Sequence, residues 1–394
     1  MSRLDVRSMA LLATAHVADD VNQSFIPALL PYLILERGIS HETAGAIVFC
    51  QAISSSVVQP AIGHLADRKS MPYLIAVGLF LAGGGVAALG VAPTMPLLFL
   101  AALISGIGVA TFHPEAARFA NWVSGEKKAS GMRWFTVGGN LGFAFGPAFA
   151  IAAIHAWGMR GTLAAAIPVA VIGAIVLFEL RRLSTFVPSH VKQRKSAGTD
   201  RWPAFGRLSA FVIVRSMAYL GMVSFVPLYL VEVLHARPEA ADGALFAFLL
   251  SGALGTIAGG PIADRVGRKP VLLWSTGLTV VLIASLVALT HNGGSLWLAV
   301  ALLIVTGFVL VSAQASFVVL GQEYLPNRVG LASGVTLGLA VSLGGGFSPV
   351  LGRIADAHGV AASLLTIAAL ALTGTLIAFT LPAEMRGRAQ TAAA

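Results

Sequence analysis

The first apolar segment of the chain contains a histidine and a carboxylate at a spacing that can handle a proton. His16 and Asp20 are four residues apart, so they share one face of a helix. At ~1.5 Å per residue, Asp20 lies roughly 18 Å along that helix, near the middle of a bilayer. A charge there must be paired, protonated or hydrated. We expect Asp20 to bind and release a proton that His16 shares, and Asp19, on another face, to contribute less. The alternative is a permanent structural pair.

A second set of polar residues lies within other apolar segments and could bind a small ligand. Arg215 stays charged at any physiological pH and lies roughly 11 Å into the seventh segment. It could bind an anion, neutralise Asp20, or extend its long stem toward the membrane surface. His113 could line the same cavity or bond a backbone carbonyl. The predicted ligand-binding set consists of Arg215, His113, Gln23, Asn140 and Gln314.

A loop motif that combines an acid with basic residues occurs twice. Its first copy runs from Gly63 to Lys69, after the second apolar segment, and its second from Gly260 to Lys269, after the eighth. A carboxylate in such a loop can hold the N-terminus of a neighbouring helix and pair with a cation. We predict contacts that form in one gating state and break in the other, although a solvated turn would need the same residues. The gate residues predicted from this motif are Asp67, Arg68, Asp264, Arg265 and Arg268.

Two further carboxylate–arginine sets fall at the same end. Glu115 and Arg118 are an i,i+3 pair, roughly 28 Å from the start of the fourth segment. Glu323 and Arg328 are their rough counterparts in the second half of the chain. This position favours an inner gate of ion pairs over a proton carrier.

The composition determines which elements must position these side chains. Of the 394 residues, 57% are hydrophobic and 11% are charged, whereas soluble domains contain about 25% charged residues. A helix needs about 20 residues to cross the hydrocarbon core. The sequence therefore predicts an all-α membrane protein with twelve transmembrane helices, over residues 8–34, 43–66, 71–91, 96–120, 129–153, 160–180, 208–231, 241–263, 270–290, 295–320, 329–352 and 360–381.

The basic residues predict the orientation of these helices. Nineteen of the 26 Lys and Arg lie on one side if both termini are cytoplasmic, and four lie on the other. The net charge of +9 thus indicates loops of a membrane protein rather than a surface for nucleic acid. We expect a multi-pass protein of a bacterial inner membrane, with the basic central loop near anionic lipid.

The chain repeats itself in two halves. Besides the loop motif, Ala129-Ser130-Gly131 precedes Gly146-Pro147 much as Ala332-Ser333-Gly334 precedes Ser348-Pro349. Such repeats are typical of alternating access around a central site. The predicted organisation is a six-helix bundle over residues 1–180, a cytoplasmic linker over 181–207 and a second, pseudo-symmetric bundle over 208–394.

Other function classes lack their motifs. The glycine-rich runs lie inside apolar segments without G-K-[ST], and neither H-E-x-x-H nor a nucleophile–base set occurs. We therefore expect no enzyme activity, no cofactor and no metal site; Cys50 lacks the partners that a metal site needs. The run from Gly352 to Asp356 resembles the loop motif but falls on the other side of the membrane, as a decoy or an outer-gate contact.

Over its full length the chain resembles the fosmidomycin-resistance group of the major facilitator superfamily. The motif Phe112-His-Pro-Glu115 is the most group-specific, and the loop motif is common to the superfamily. The residues that carry the resemblance are His16, Asp20 and Gln23-Ser24; Gln59-Pro60-x-x-Gly63 with Met71-Pro72; Phe112-His-Pro-Glu115 with Arg118; Val137-Gly-Gly-Asn140 with Gly146-Pro147; Leu245-Phe-Ala-Phe248 with Gly255-Thr256 and Gly259-Gly260-Pro261; and Gln322-Glu323-x-Leu-Pro326-x-Arg328 with Ser333-Gly334 and Ala355-Asp356.

The resemblance implies proton-driven export of a small drug, the namesake being an anionic phosphonate. It also implies a base in the seventh helix, where Arg215 stands in this chain. Asp19 and Arg133 depart from the group's pattern and change the cavity charge. We expect a monomeric antiporter of a small, anionic molecule and protons. Proton-coupled uptake of an organic anion, and a membrane sensor or scaffold that transports nothing, are the alternatives.

Overall fold

The computed structural model describes residues 4–68, 70–125, 128–186, 198–290, 293–328, 331–332, 335–336 and 340–382, and these residues form helices and no strand. The first half contains α1 (Val6–Arg37), α2 (His41–Arg68), α3 (Tyr73–Leu89), α4 (Met95–Val123), α5 (Lys128–Trp157), a 3₁₀ turn (Gly158–Ala165), α6 (Ala166–Phe178) and the short α7 (Leu180–Ser184). The second contains α8 (Trp202–Glu232), α9 (Pro238–Val266), α10 (Arg268–Thr290), α11 (Leu296–Ser312), α12 (Gln314–Tyr324), α13 (Ala340–Gly345), α14 (Ser348–His358) and α15 (Val360–Phe379).

Eight helical stretches in the described part of the chain are long and apolar enough to cross a membrane. The first helix, α1, is not among them although it has 32 residues, because its polar side chains lower its hydropathy. Those side chains are buried inside the bundle, where neighbouring helices rather than lipid surround them. The all-helical membrane fold is therefore confirmed, and the count of twelve spans stays a prediction.

Some predicted boundaries differ from the observed ones. The predicted span 295–320 is divided at Ala313, whose backbone angles stay close to helical, so α12 continues the direction of α11. The predicted span 329–352 is wrong at its end, because α14 extends to His358. Pro349 has no N–H to donate to the Gly345 carbonyl, so the earlier helix ends at Gly345 and α14 begins at Ser348. Residues 187–197 of the predicted linker lie outside the described part, and α8 begins within its predicted range.

Glycines let α1 and α5 pack backbone against backbone. A Cβ atom at Gly138 would lie 2.4 Å from the carbonyl oxygen of Ala13, and one at Gly142 would lie 2.4 Å from that of Val17. Small residues one turn apart permit this close approach in a membrane, where lipid gives helices no hydrophobic reason to associate. The α1–α5 contact therefore fixes the wall against which Asp20 lies.

Contacts between helix ends define two ends of the molecule. At the start of α1, Asp5 accepts a hydrogen bond from the Ser8 N–H at 2.8 Å and pairs with Arg182, which follows α6. Burial raises the pKa of the Asp5 carboxyl, but the bonds from Ser8 and Arg182 outweigh it and lower the pKa overall. We call the end where α1 and α8 begin the basic end, and the other the opposite end. The sequence predicts that the basic end is cytoplasmic.

The two halves close on each other at the opposite end, through α2 and α14. The Arg353 guanidinium of α14 lies 2.6 Å from the Glu42 carboxylate of α2. A Cβ atom at Gly45 would lie 2.4 Å from the carbonyl oxygen of Ser348, so the two backbones touch. Among the described residues, the ion pairs that join the halves all lie at this end. The Gly352–Asp356 run thus forms a contact between the halves.

Candidate functional site

Three ionisable side chains from two helices meet inside the first half. The Nε2 atom of His16 lies 3.3 Å from Asp20 Oδ2, as their spacing on α1 predicts. His113 of α4 places its Nε2 atom 3.4 Å from Asp20 Oδ1. The same oxygen accepts a hydrogen bond from the Gln23 amide at 2.9 Å. Asp20 is thus held between two imidazoles, and only one of them belongs to its own helix.

Backbone carbonyls fix which nitrogen of each imidazole carries a hydrogen. His16 Nδ1 lies 2.8 Å from the Phe135 carbonyl oxygen, and His113 Nδ1 lies 3.0 Å from that of Val109. A carbonyl only accepts, so each Nδ1 donates and each Nε2 is directed at Asp20. If no proton lay between Nε2 and the Asp20 oxygen, the lone pair of the nitrogen would face a lone pair of the oxygen, and the two atoms would repel each other. The cluster is therefore built to hold protons between Asp20 and its two neighbours.

Asp19 is more closely connected to this cluster than its position on α1 predicts. Its side chain is fully buried, and neither carboxylate oxygen has a hydrogen-bond partner among the described residues. The Oδ2 atom lies 3.4 Å from His113 Nδ1. Burying an uncompensated carboxylate is costly. We therefore expect that either His113 carries a positive charge or Asp19 is protonated and neutral. The side chain of His113 thus lies between two acids.

The spacing of the cluster also meets the first condition for a metal site. His16, Asp20 and His113 each offer one ligand atom, and these atoms all lie within 4.8 Å of one another. The sequence shows no metal-binding spacing because the three residues come from two separate helices. Since the side chains also contact one another directly, shared protons satisfy the same geometry.

A glycine and a glutamine connect the cluster to its surroundings. A Cβ atom at Gly139 of α5 would lie 2.6 Å from His16 Nε2 and 2.7 Å from Asp20 Oδ2, so any larger residue there would force these side chains to move. Gln23, which binds Asp20, also lines a cavity of about 60 Å³ between the halves. Further residues that line this cavity are Gln51, Val109, Phe143, Leu220 and Ser224. A volume of this size holds about two waters, so a ligand needs a wider opening.

A larger depression of about 640 Å³ lies at the opposite end, lined by Arg37 and Arg160. It is an open part of the surface at the turn between α3 and α4, and it does not contact the buried cluster. We therefore place the candidate site at the smaller cavity.

Arg215 of α8 is buried in the second half and does not reach Asp20. Its Nη2 atom donates to the Leu310 carbonyl at 2.8 Å, and its guanidinium lies 5.1 Å from the Phe317 ring. No carboxylate of the described residues pairs with it, so the expected neutralisation of Asp20 is absent from this conformer. Its burial to 3% exposure also rules out extension to the membrane surface. Arg215 is thus a buried cation next to the interface between the halves.

An aromatic row lies between this cation and the first half. Tyr219 lies 5.7 Å below the Arg215 guanidinium and stacks on Phe143 of α5 and Phe248 of α9. Asn140 and Gln314, also predicted to bind ligand, are half-buried and make no hydrogen bond within the described part. The structure therefore brings Gln23 and His113 to the buried acid, whereas Arg215, Asn140 and Gln314 form no hydrogen bond or ion pair with it among the described residues.

The predicted gate residues make contacts within their own halves. Glu115 accepts a hydrogen bond from the Met71 N–H at 2.7 Å and pairs with Arg118, so it ties α4 to the loop after α2. In the second half, Arg268 lies 2.6 Å from Glu323. This arrangement differs from ion pairs between the halves, and the gating role stays a prediction.

The remaining gate residues are less constrained. Arg328 lies 3.4 Å from Asp200. Asp264 and Arg265 are exposed and form no ion pair with a described residue. The side chains of Asp67 and Arg68 lie outside the described part of the structure.

One buried acid escaped the sequence analysis. Asp242, near the start of α9, is fully buried, and neither of its oxygens has a hydrogen-bond partner among the described residues. Its polar neighbours are Tyr32, near the end of α1, and Glu239. The available signal was a single aspartate inside the predicted span 241–263. Without the fold, nothing showed that this end of α9 is covered by the other half.

The fold and the site define a class of protein: a polytopic membrane transporter whose two helical halves enclose a polar centre. The sequence model of the Major Facilitator Superfamily matches residues 12–349. The chain therefore belongs to this family, and it is a secondary transporter and not an enzyme.

Relatives and solved structures agree with this assignment. The chain is 31% identical to the uncharacterised transporter YfnC of Bacillus subtilis, over 96% of this chain and 94% of the relative. It is 30% identical to the fosmidomycin resistance protein of Escherichia coli, over 94% and 92%. A bacterial homologue of the human lysosomal transporter Spinster superposes with a TM-score of 0.79 at 14% identity, over 96% and 97%. The nucleoside transporter NupG gives 0.74 at 15%, over 95% and 99%.

Proposed function

We propose that this protein exports a small anionic molecule in exchange for protons by alternating access. The observation that carries the proposal is the Asp20 cluster: a buried carboxylate between two imidazoles, joined through Gln23 to the cavity between the halves. Such a cluster can hold a proton out of water and release it when solvent or a ligand changes its contacts.

In this mechanism the proton and the substrate use the cluster in turn. With the basic end open, the substrate enters the cavity and the cluster releases its proton to that side. With the opposite end open, the substrate leaves and Asp20, His16 and Asp19 recover a proton. Because Gln23 lies between the cavity and Asp20, a bound molecule can displace the amide and alter the charge that the cluster favours.

Two features support an anionic substrate. Arg215 is a buried cation without a carboxylate partner in the described part, and His113, which contacts Asp19 and Asp20, can carry a second positive charge. The fosmidomycin resistance protein, at 30% identity, makes a phosphonate the first molecule to test. We assign Asn140 and Gln314 to the substrate path only in a conformer with a wider cavity.

The setting of the transporter is part of the proposal. We place it in a bacterial inner membrane as a monomer, with both termini and the basic end cytoplasmic and the basic loops against anionic lipid. The predicted gate residues at that end would then pair across the halves in the outward-open state. Such pairs would replace the contacts that they make within each half in this conformer.

Purified protein in proteoliposomes tests the function, with radiolabelled fosmidomycin as the probe and an imposed pH gradient. We expect Asp20→Asn to abolish pH-driven accumulation while counterflow exchange in the absence of a gradient remains. Glu36→Gln, an exposed carboxylate on the same helix, is the matched control and should transport as wild type. pH-driven transport by Asp20→Asn at the wild-type rate would rule out Asp20 as the coupling residue.

Two further arms separate the alternatives. Reversing the gradient distinguishes antiport from symport, because only an antiporter accumulates the probe on the acidic side. Repeating the assay in chelator and with added Zn²⁺ tests the metal geometry of the cluster. Transport that requires the metal would replace the proton assignment.

A further inference from the structure

A histidine joins the two halves at the opposite end. His41 is the first residue of α2, and its Nδ1 atom lies 2.7 Å from Asp356 Oδ1 of α14. Its Nε2 atom lies 2.6 Å from Glu232 Oε1 at the end of α8. Both acids belong to the second half, so one imidazole bridges two helices across the closure.

This geometry fixes the number of protons. An ionised carboxylate oxygen only accepts hydrogen bonds, so each ring nitrogen must donate, or one acid must carry the hydrogen instead. Either way, the closed arrangement holds one proton more than a neutral imidazole between two carboxylates. We propose that His41, Glu232 and Asp356 form a second proton-binding site, which takes up one proton from the surrounding solution as the opposite end closes and releases it as that end opens.

The surroundings of His41 favour the bound proton. Asp356 also accepts the backbone N–H groups of His41 and Glu42, both at 2.9 Å, and so caps α2 from the other half. Burial raises the pKa of Asp356, but these bonds and the His41 side chain outweigh it and lower the pKa overall. Two backbone N–H groups and the His41 ring thus surround the Asp356 carboxylate, an arrangement that stabilises its anionic form.

The other charged groups near His41 do not replace this proton. Arg353 of α14 pairs with Glu42 of α2. Arg37, at the end of α1, donates to the carbonyls of Gly90 and Ala92 and is directed away from the closure. Two acids thus contact one imidazole, and in the described structure no cation besides the imidazole itself pairs with either acid.

The site gives the transport cycle a second point of proton dependence. Because the closed state binds one more proton, acid favours closure and base favours opening, by up to about tenfold per pH unit. If the proposed antiport holds, protons from the outer solution would close the empty transporter toward that side and return it to the basic-end-open conformer. That consequence depends on the proposed function, whereas the pH dependence does not.

Distance measurements between spin labels test the inference without any substrate. Labels on Glu36→Cys and Ala357→Cys, in a Cys50→Ser background, report the separation of the halves at exposed positions of the opposite end. Because buried Asp242 would also respond to opening, the series is repeated with Asp242→Asn. We expect the open fraction of the wild type to rise between about pH 5 and pH 9.

Three substitutions define the origin of that rise. With His41→Gln, the open fraction should rise less steeply with pH, because closure should bind about one proton fewer. His41→Arg keeps a permanent cation and should keep the end closed while also losing that proton's contribution. His358→Gln, an exposed histidine at the same end without a described ion pair, is the control and should match the wild type.

Two results would overturn the proposal: an open fraction that does not change with pH, or a His41→Gln slope equal to that of the wild type. Because Asp20 is intact in these variants, failure here leaves the flux test of Asp20 unaffected. Conversely, a proton-independent transporter could still show the pH-dependent closure.

Discussion

At the scale of single residues, the two buried acids Asp19 and Asp20 differ in how many polar groups surround them. Asp20 has two imidazoles and one amide as neighbours, whereas Asp19 has only the His113 ring at 3.4 Å. A buried charge with one neighbour is sensitive to that neighbour's proton. The pair of adjacent acids around His113 therefore makes this imidazole the residue whose protonation affects both.

Arg215 gives a prediction that separates charge from shape. Arg215→Met removes the cation and should abolish binding of an anionic probe. Arg215→Lys retains the charge but loses the planar fork that bonds Leu310 and stacks on Phe317. We expect Arg215→Lys to bind the probe about 10- to 150-fold more weakly, since one charge-assisted bond to the ligand contributes about 1.5–3 kcal/mol. Isothermal titration with fosmidomycin measures both; equal affinity of all three proteins would place Arg215 outside the substrate site.

Gly139 gives a test of the cluster that leaves every ionisable group in place. Gly139→Ala introduces a methyl group 2.6 Å from His16 Nε2, which must separate His16 from Asp20. We expect pH-driven flux to fall at least about tenfold, the effect of a ~1.4 kcal/mol change, while the protein still folds. Gly84→Ala, where nothing lies within 4 Å, should transport normally. Flux of Gly139→Ala equal to that of Gly84→Ala would show that the His16–Asp20 contact is dispensable.

At the scale of elements, helix packing depends on backbone contact rather than on large side chains. Gly142→Ala would place a Cβ atom 2.4 Å from the Val17 carbonyl oxygen, against backbone that cannot rotate away. We expect a loss of about 1–3 kcal/mol in the free energy of unfolding. Gly84→Ala should be stabilising by up to about 1 kcal/mol, since alanine is the better helix former. Thermal unfolding in detergent compares them, and a Gly142→Ala midpoint at or above that of Gly84→Ala would contradict the packing argument.

The start of α1 allows a prediction with a pH dependence. Asp5→Ala removes both the cap and the Arg182 pair and should cost about 1 kcal/mol, whereas Asp5→Asn keeps a capping oxygen and should cost less. The folded pKa of Asp5 is lowered, so its contribution is complete above the ordinary aspartate value. It disappears as the pH falls through the lowered value. The thermal midpoints of the wild type and Asp5→Asn, measured from neutral pH downward, should therefore converge in acid, whereas Asp5→Ala, which lacks a capping oxygen, should stay below both. A wild-type curve that stays parallel to that of Asp5→Asn would disprove the assignment.

At the scale of the whole molecule, one conformer is favoured by contacts at one end. The described pairs between the halves, including Glu42–Arg353, lie at the opposite end, and those at the basic end lie within a half. Opening must therefore break α2–α14 contacts and form others at the basic end. If the transporter alternates as proposed, the contact that separates is one where glycines bring the α2 and α14 backbones together.

A crosslink between the halves tests this alternation. Glu42→Cys and Arg353→Cys, in the Cys50→Ser background, replace the charged pair that spans the opposite end. A short cleavable bismaleimide should join them and stop transport, because only one conformer remains accessible. A reducing agent that cleaves the linker should restore the flux. Single-cysteine proteins should be unaffected, and continued transport by the crosslinked protein would show that the opposite end does not open.

The sequence by itself determined what could be inferred from composition and local spacing. Apolar length predicted membrane helices, and i,i+4 spacing predicted the His16–Asp20 contact, because both depend on the geometry of one helix. Repeated motifs predicted the two halves, and the motif-based resemblance indicated the family to which the chain belongs.

Only the tertiary structure decided which side chains from different helices meet. It brought His113 to Asp20 and Asp19, kept Arg215 away from them, and placed His41 between Glu232 and Asp356. These contacts depend on helix packing and on the conformer, in which α1 and α5 approach through glycines and α2 meets α14. No spacing along the chain contains that information, because the partners are separated by 93 or more residues in sequence and share no repeat.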